Sequence, residues 1–173
     1  MAGIIQCYGL FWRKDCVYWN ASSKARLLGV PARAKTAVPT DFHEQVGIYV
    51  LYEGHQMIYV GQTGSGKRKL FSRLKAHTRD VLANRWDHFS WFGLRRPISN
   101  GNLSTEKLRT SAGMATALNH IEAVLISAAE PALNKQGGRF GKNAKRFLQI
   151  RDDRLGPTES EMIRQLWAER HER

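Results

Sequence analysis

The 173-residue chain is poor in cysteine, in acid and in long apolar runs. Its two cysteines, Cys7 and Cys16, are separated by eight residues, too few for a disulfide framework and wrongly spaced for a CxxC zinc knuckle. They read as two reduced, partly buried thiols of a cytoplasmic protein. No stretch approaches the roughly 18 consecutive apolar residues of a membrane helix. The N-terminal MAGIIQCYGLFWRKD is apolar but has neither a basic n-region nor a small-residue cleavage site, so no signal peptide is expected. Fifteen acidic residues stand against 27 basic ones, a net charge of +12 and a pI near 10.2. That excess leaves the fold open but favours polyanionic partners, nucleic acid or an anionic membrane surface. Repeats and low-complexity tracts are absent. With 42% hydrophobic and 24% charged residues, a folded core is expected, and the length predicts one domain with a short appendage.

Residues 1–45 read differently from the rest. YGLFW and CVYWN are aromatic runs separated by Arg13, Lys14 and Asp15, which suggests a hairpin. SSKARLLGVPARAKTAVPTDF follows, broken by Pro31 and Pro39 and carrying Lys24, Arg26, Arg33 and Lys35. This part reads as a weakly ordered extension or a small accessory layer. From Val46 the pattern sharpens. GIYVLYE (47–53) and MIYVGQT (57–63) flank Gly54-His55-Gln56 and predict an antiparallel hairpin. KRKLFSRLKAHTRDVLA (67–83) places Leu70, Leu74, His77 and Val81 on one side of an amphipathic helix. HFSWFGLR (88–95) reads as a third strand, and ATALNHIEAVLISAAE (115–130) as a helix ended by Pro131. A Gly-rich basic loop spans 134–141. TESEMIRQLWAER (158–170) opens with the capping-box pair Thr158 and Glu161 and predicts a terminal helix. The expected fold class is α+β: a small, mostly antiparallel three-stranded sheet in β-β-α-β-α order flanked by helices. The core would span 46–135, with 1–45 before it and the loop and helix of 136–173 packed on it.

Three features invite a chemical reading. In the helix over 115–130, Leu118, Ile121, Leu125, Ile126 and Ala129 form the apolar stripe, and Glu122 falls within it. An unpaired buried carboxylate costs several kcal/mol. Either an arginine, a proton or a metal ion offsets that cost, or Glu122 sits at the stripe's edge and reaches solvent. In the helix over 67–83, Arg73 and His77 are four apart and so neighbours, with His77 in line with the leucines. Finally, Gly61-Gln-Thr-Gly-Ser-Gly66-Lys67 matches G-x-x-x-x-G-K between a strand and a helix. Arg68 stands where a P-loop places its Ser or Thr, and no Walker-B strand follows, so a nucleotide-hydrolysing P-loop is rejected. A basic loop at a helix N-terminus remains, still suited to phosphate.

The hairpin carries the most specific signal, Gly47-Ile48-Tyr49 followed by Tyr59-Val60-Gly61. With these tripeptides the sequence resembles the GIY-YIG endonuclease superfamily, over about residues 46–135. The family's arginine on the first helix is matched by Arg73 in LFSRLKAH, with His77 nearby. Its metal-binding glutamate is matched by Glu122 in HIEAVLI, and its asparagine by Asn134 in EPALNK. YVG in place of YIG is a mild departure.

The resemblance implies hydrolysis of a DNA phosphodiester by an activated water, assisted by one magnesium or manganese ion on Glu122. It implies Arg73 as the clamp on a non-bridging phosphate oxygen, and Tyr49 as general base or orienter of the water, with Tyr59 in the same network. Ionising an ordinary phenol at pH 7 costs roughly 4 kcal/mol, so a neighbour must help. Lys67, Lys69 and His77 are candidates, and His77 either accepts a proton from Tyr49 or orients it. Asn134 would fix the site. Lys67, Arg68, Lys69 and Lys75 before and on the first helix, and Lys135, Arg139 and Lys142 after Asn134, read as walls of a groove for double-stranded DNA. Trp12, Trp19, Trp86 and Trp91 are candidates to stack on bases, with core packing the simpler role for Trp91. The competing reading is a catalytically silent nucleic-acid-binding module on the same fold. A stand-alone bacterial, phage or plasmid nuclease is expected, restriction-like or serving a mobile element. One metal site cuts one strand at a time, so double-strand cleavage would call for a homodimer or sequential nicking.

Overall fold

Among the described residues seven strands join one sheet. The computed structural model describes residues 4–20, 24–34, 38–63, 68–105, 114–129, 140 and 144–171, apart from the side chains of 114–119, 122, 169 and 171. The strands are β1 (Cys7–Arg13), β2 (Leu28–Pro31), β3 (Thr40–Asp41), β4 (Gly47–Glu53), β5 (Gln56–Thr63), β6 (His88–Gly93) and β7 (Lys145–Gln149). The helices are α1 (Leu70–His77), α2 (Met114–Ala129) and α3 (Glu159–His171). The sheet runs β3-β2-β7-β1-β6-β4-β5. Its neighbours are antiparallel except β1 and β7, which are parallel.

This corrects the expected three-stranded antiparallel sheet. The elements β4, β5, α1, β6 and α2 occur in the expected order, but β6 is not an edge. Five of its six residues are buried, and an edge strand so buried would leave a row of backbone groups unpaired. β1 takes that edge, paired from Cys7 opposite Gly93 to Arg13 opposite His88 with a one-residue register shift between Gly9 and Trp12. The expected N-terminal hairpin also fails. Lys14–Cys16 is a 3-10 turn, CVYWN leaves the sheet, and β1 pairs with chain segments about 80 and 140 residues away. Residues before 46 thus supply three strands, two of them interior.

Register divides the core into two layers. Tyr49 opposite Trp91 and Leu51 opposite Phe89 face the layer that holds Leu70, Phe71 and Leu74 of α1 together with Trp12, Phe42 and Trp86. Val50, Tyr52 and Phe92 face the other layer, with Ala123, Val124 and Ala128 of α2 and Phe140.

α1 is short because local groups start and stop it. The carbonyls of Gln45 and His43 accept the amides of Leu70 (3.0 Å) and Phe71 (3.1 Å). At the other end Asp80 accepts the Leu82 amide at 2.8 Å, the Asp-to-backbone turn that competes with helix. The chain turns there, so Val81 is exposed and not part of the buried stripe.

α2 is turned relative to expectation. Ile121 and Leu125 are 55% and 57% exposed, while His120, Ala123, Val124, Ser127 and Ala128 are buried. The sheet presents bulky Tyr52 and Phe92 to this helix, with Phe140 beside them, and small residues let it approach. α3, expected to pack on the core, has every described side chain exposed. Among the described residues no helix is long and apolar enough to cross a membrane.

Candidate active site

Both motif glycines are explained by what a side chain would strike. Gly47 has φ +149°, and a Cβ there would lie 2.0 Å from the Phe92 carbonyl oxygen on β6. Only glycine accepts both the conformation and the approach. Gly61 stands opposite Tyr49 across the β4–β5 pair, and a Cβ at 61 would fall 2.3 Å from the Tyr49 Cζ and Oη. The Tyr49 ring therefore lies across the bare backbone of β5. Tyr59, opposite Leu51, shares that face, with its ring centroid 6.1 Å from that of Tyr49.

α1 closes the cluster from above. Arg73 and His77, one turn apart, both reach the phenols. The His77 ring lies 4.8 Å from Tyr59 and 5.7 Å from Tyr49, centroid to centroid. Tyr49 Oη is 2.8 Å from His77 Nε2, and His77 Nδ1 is 2.6 Å from Asp80 Oδ2. A carboxylate only accepts, so Nδ1–H donates to Asp80. In the neutral ring Nε2 is then the acceptor, and the Tyr49 hydroxyl donates to it. The Trp86 indole donates to the His77 carbonyl at 3.0 Å, which fixes the end of the helix.

Burial pushes the Tyr49 phenol up to about 12, with the adjacent Arg73 guanidinium working in the opposite direction and Tyr59 adding to the rise. Ionising it at pH 7 would cost roughly 7 kcal/mol if the proton went to bulk water. It need not go there, because His77 Nε2 already holds the hydroxyl hydrogen bond. Burial also pushes the Asp80 carboxyl up, but the Leu82 amide and the His77 imidazole outweigh it and hold that carboxyl below its ordinary value. The phenols favour the charged form of Arg73. Its Nε–H is buried and unbonded among the described residues, a donor of the kind that calls for an explanation.

The fold thus gathers Tyr49, Tyr59, Arg73 and His77 in one place and adds Asp80, which the sequence reading missed. Its signal was the i+3 spacing from His77, on the same side of the helix end. On α1 and its approach Arg68 is exposed, and Lys69 and Lys75 are half-buried. Glu122 lies on α2, with its side chain outside the described residues, and Asn134, Lys67, Lys135, Arg139 and Lys142 lie outside them entirely. α2 packs on the face of the sheet opposite Tyr49, alongside edge strand β5.

Trp12, Trp86 and Trp91 are core residues and present no face to a base. Trp19 is half-buried, stacked on Phe71 at 5.5 Å, and lines an open groove of about 690 Å³ with Val17, Trp86 and Leu155.

The described side chains do not by themselves make a cation site. Both nitrogens of His77 are engaged, and no group of three His, Cys, Asp or Glu gathers among the described residues. A magnesium or manganese ion would rest on Glu122. No family model, curated protein or solved structure matches the chain.

Proposed function

We propose that the protein is a metal-dependent DNA endonuclease that hydrolyses phosphodiester bonds at the Tyr49 cluster. The observation that carries this reading is the chain Tyr49–His77–Asp80, buried at Tyr49 and His77, with the Arg73 guanidinium beside it. Tyr49 passes its proton to His77 Nε2, and Asp80 stabilises the imidazolium that forms, the logic of an oriented base behind an activated hydroxyl. The phenolate takes a proton from water. That water attacks phosphorus, and the bond to the leaving oxygen breaks. Arg73 meets the charge that builds on the non-bridging oxygens, with a planar fork suited to phosphate and an unspent Nε–H. Glu122 would hold the magnesium or manganese ion, which would supply positive charge against the negative charge that develops on phosphate.

The net charge of +12 supports double-stranded DNA as the partner, and two free cysteines, Cys7 and Cys16, support a reducing cytoplasm. A restriction-like or mobile-element nuclease fits these features.

The test is plasmid nicking with magnesium or manganese, against EDTA. Arg73→Ala is expected to slow cleavage by roughly 10²–10³-fold, with Tyr49→Phe and Glu122→Ala also severely impaired and still able to bind DNA. Wild-type cutting by Tyr49→Phe and Arg73→Ala would refute the reading.

A further inference from the structure

Of the three helices, α3 alone has every described side chain exposed. Met162, Ile163, Leu166 and Trp167 are between 43% and 63% exposed. Their spacing puts them on one stripe of the helix. Thirteen residues make a marginal helix in water without tertiary packing. Its visible local support is the N-terminal capping box, in which Glu161 accepts the Thr158 amide at 2.6 Å and the Thr158 hydroxyl accepts the Glu161 amide at 3.3 Å. A stripe of one indole and three aliphatic side chains, rimmed by charge, is the signature of an interface.

The charges on the stripe identify the occupant. Glu159 precedes Ile163 by one turn, and Arg170 follows Leu166 by one turn, so the apolar stripe ends in an acid at one end and a base at the other. Two such helices laid antiparallel, about a twofold between Arg164 and Gln165, set Ile163 against the partner's Leu166. The same operation sets Met162 against the partner's Trp167 and Glu159 against the partner's Arg170. A parallel pair would oppose Glu159 to its own copy and Arg170 to its own copy. The pattern is self-complementary in the isologous sense, and the antiparallel macrodipoles also agree.

We infer that α3 pairs antiparallel with α3 of a second copy of this chain. One helix per protomer buries less than the roughly 1,200 Å² of a standard stable interface. The dimer therefore forms reversibly, with a dissociation constant on the order of micromolar or weaker.

Sedimentation velocity on the full chain, over a series spanning the micromolar range, tests this directly. Wild type is expected to shift from monomer to dimer with concentration. The surface double variant Ile163→Glu/Leu166→Glu should stay monomeric. Arg170→Glu and Glu159→Arg should each weaken the dimer roughly tenfold, since each places like charges at both ends of the pair. Combining the two should restore it to near wild type. A wild-type monomer at every concentration overturns the proposal, as does a dimer indifferent to Ile163→Glu/Leu166→Glu. Failure of the charge swap to restore pairing overturns the antiparallel register. Nicking activity is a separate readout, so the outcome does not depend on the endonuclease reading.

Discussion

α1 and α2 lie on opposite faces of one sheet and obey opposite packing rules. α1 buries its large residues, Leu70, Phe71 and Leu74, against the Trp12, Trp86 and Trp91 layer. It ends in a histidine drawn inward by a phenol. α2 buries alanines and a valine and leaves Ile121 and Leu125 in water. The difference lies in the sheet. Beneath α2 it offers Tyr52 and Phe92, with Phe140 alongside, and large rings leave little room, so close approach is bought with small side chains. A stripe read by size finds α1 and misreads α2.

Truncation separates the two rules most strongly. Leu74→Ala, at a fully buried site, is expected to destabilise by about 2–5 kcal/mol, whereas Leu125→Ala stays within about 0.5 kcal/mol of wild type. Urea midpoints at constant slope measure both. Equal losses would mean that α2 does bury its leucines and that the faces are misassigned.

Enlargement reverses the direction of the test. Ala128 is buried and Ala129 exposed. Ala128→Leu forces extra volume against the aromatic layer and should cost about 1–3 kcal/mol, while Ala129→Leu is close to neutral. Thermal melts of the pair check it, and a stabilised Ala128→Leu would reveal a gap beneath α2.

What could be read in advance follows the range of the interactions. The β4–β5 hairpin and the capping box of α3 are set by neighbours a few residues away, and Tyr49, Tyr59 and Gly61 by their hairpin register, so local pattern finds them. The start of α1 and the need for glycine at 47 rest instead on Gln45, His43 and Phe92 farther along the chain. The pairing of β1 with β6 and β7 is set by segments far along the chain, and no local signal in YGLFW names Trp91 or Phe147 as its partner. Ile121 and Leu125 show how a plausible reading goes astray. The stripe expected on α2 consists of large apolar residues, and the sheet selected the small ones. Asp80 was passed over for the opposite reason: beyond a short helix it looks like an ordinary surface acid, and only the turn through Leu82 brings its carboxylate to His77.

The smallest effect expected is at Asp80, and it bears on why α1 ends in a cluster of polar groups at all. Asp80 Oδ2 serves His77 Nδ1–H and Oδ1 the Leu82 amide, so Asp80→Asn keeps an acceptor for one of the two donors and removes the charge. The native carboxyl titrates below its unfolded value. Its contribution is therefore present above the unfolded value of about 4 and is lost as pH falls through the lower folded value. At pH 7 the variant should be less stable than wild type, by under about 1 kcal/mol because the side chain is 39% exposed. The deficit should shrink below pH 4. The cost to function should be larger than the cost to stability, because an amide cannot stabilise the imidazolium that forms when Tyr49 gives up its proton. Nicking that falls several-fold more than DNA binding does, with stability nearly intact, marks Asp80 as the group that positions and charges His77. Equal nicking by Asp80→Asn and wild type would leave the carboxylate a helix-end turn and nothing more.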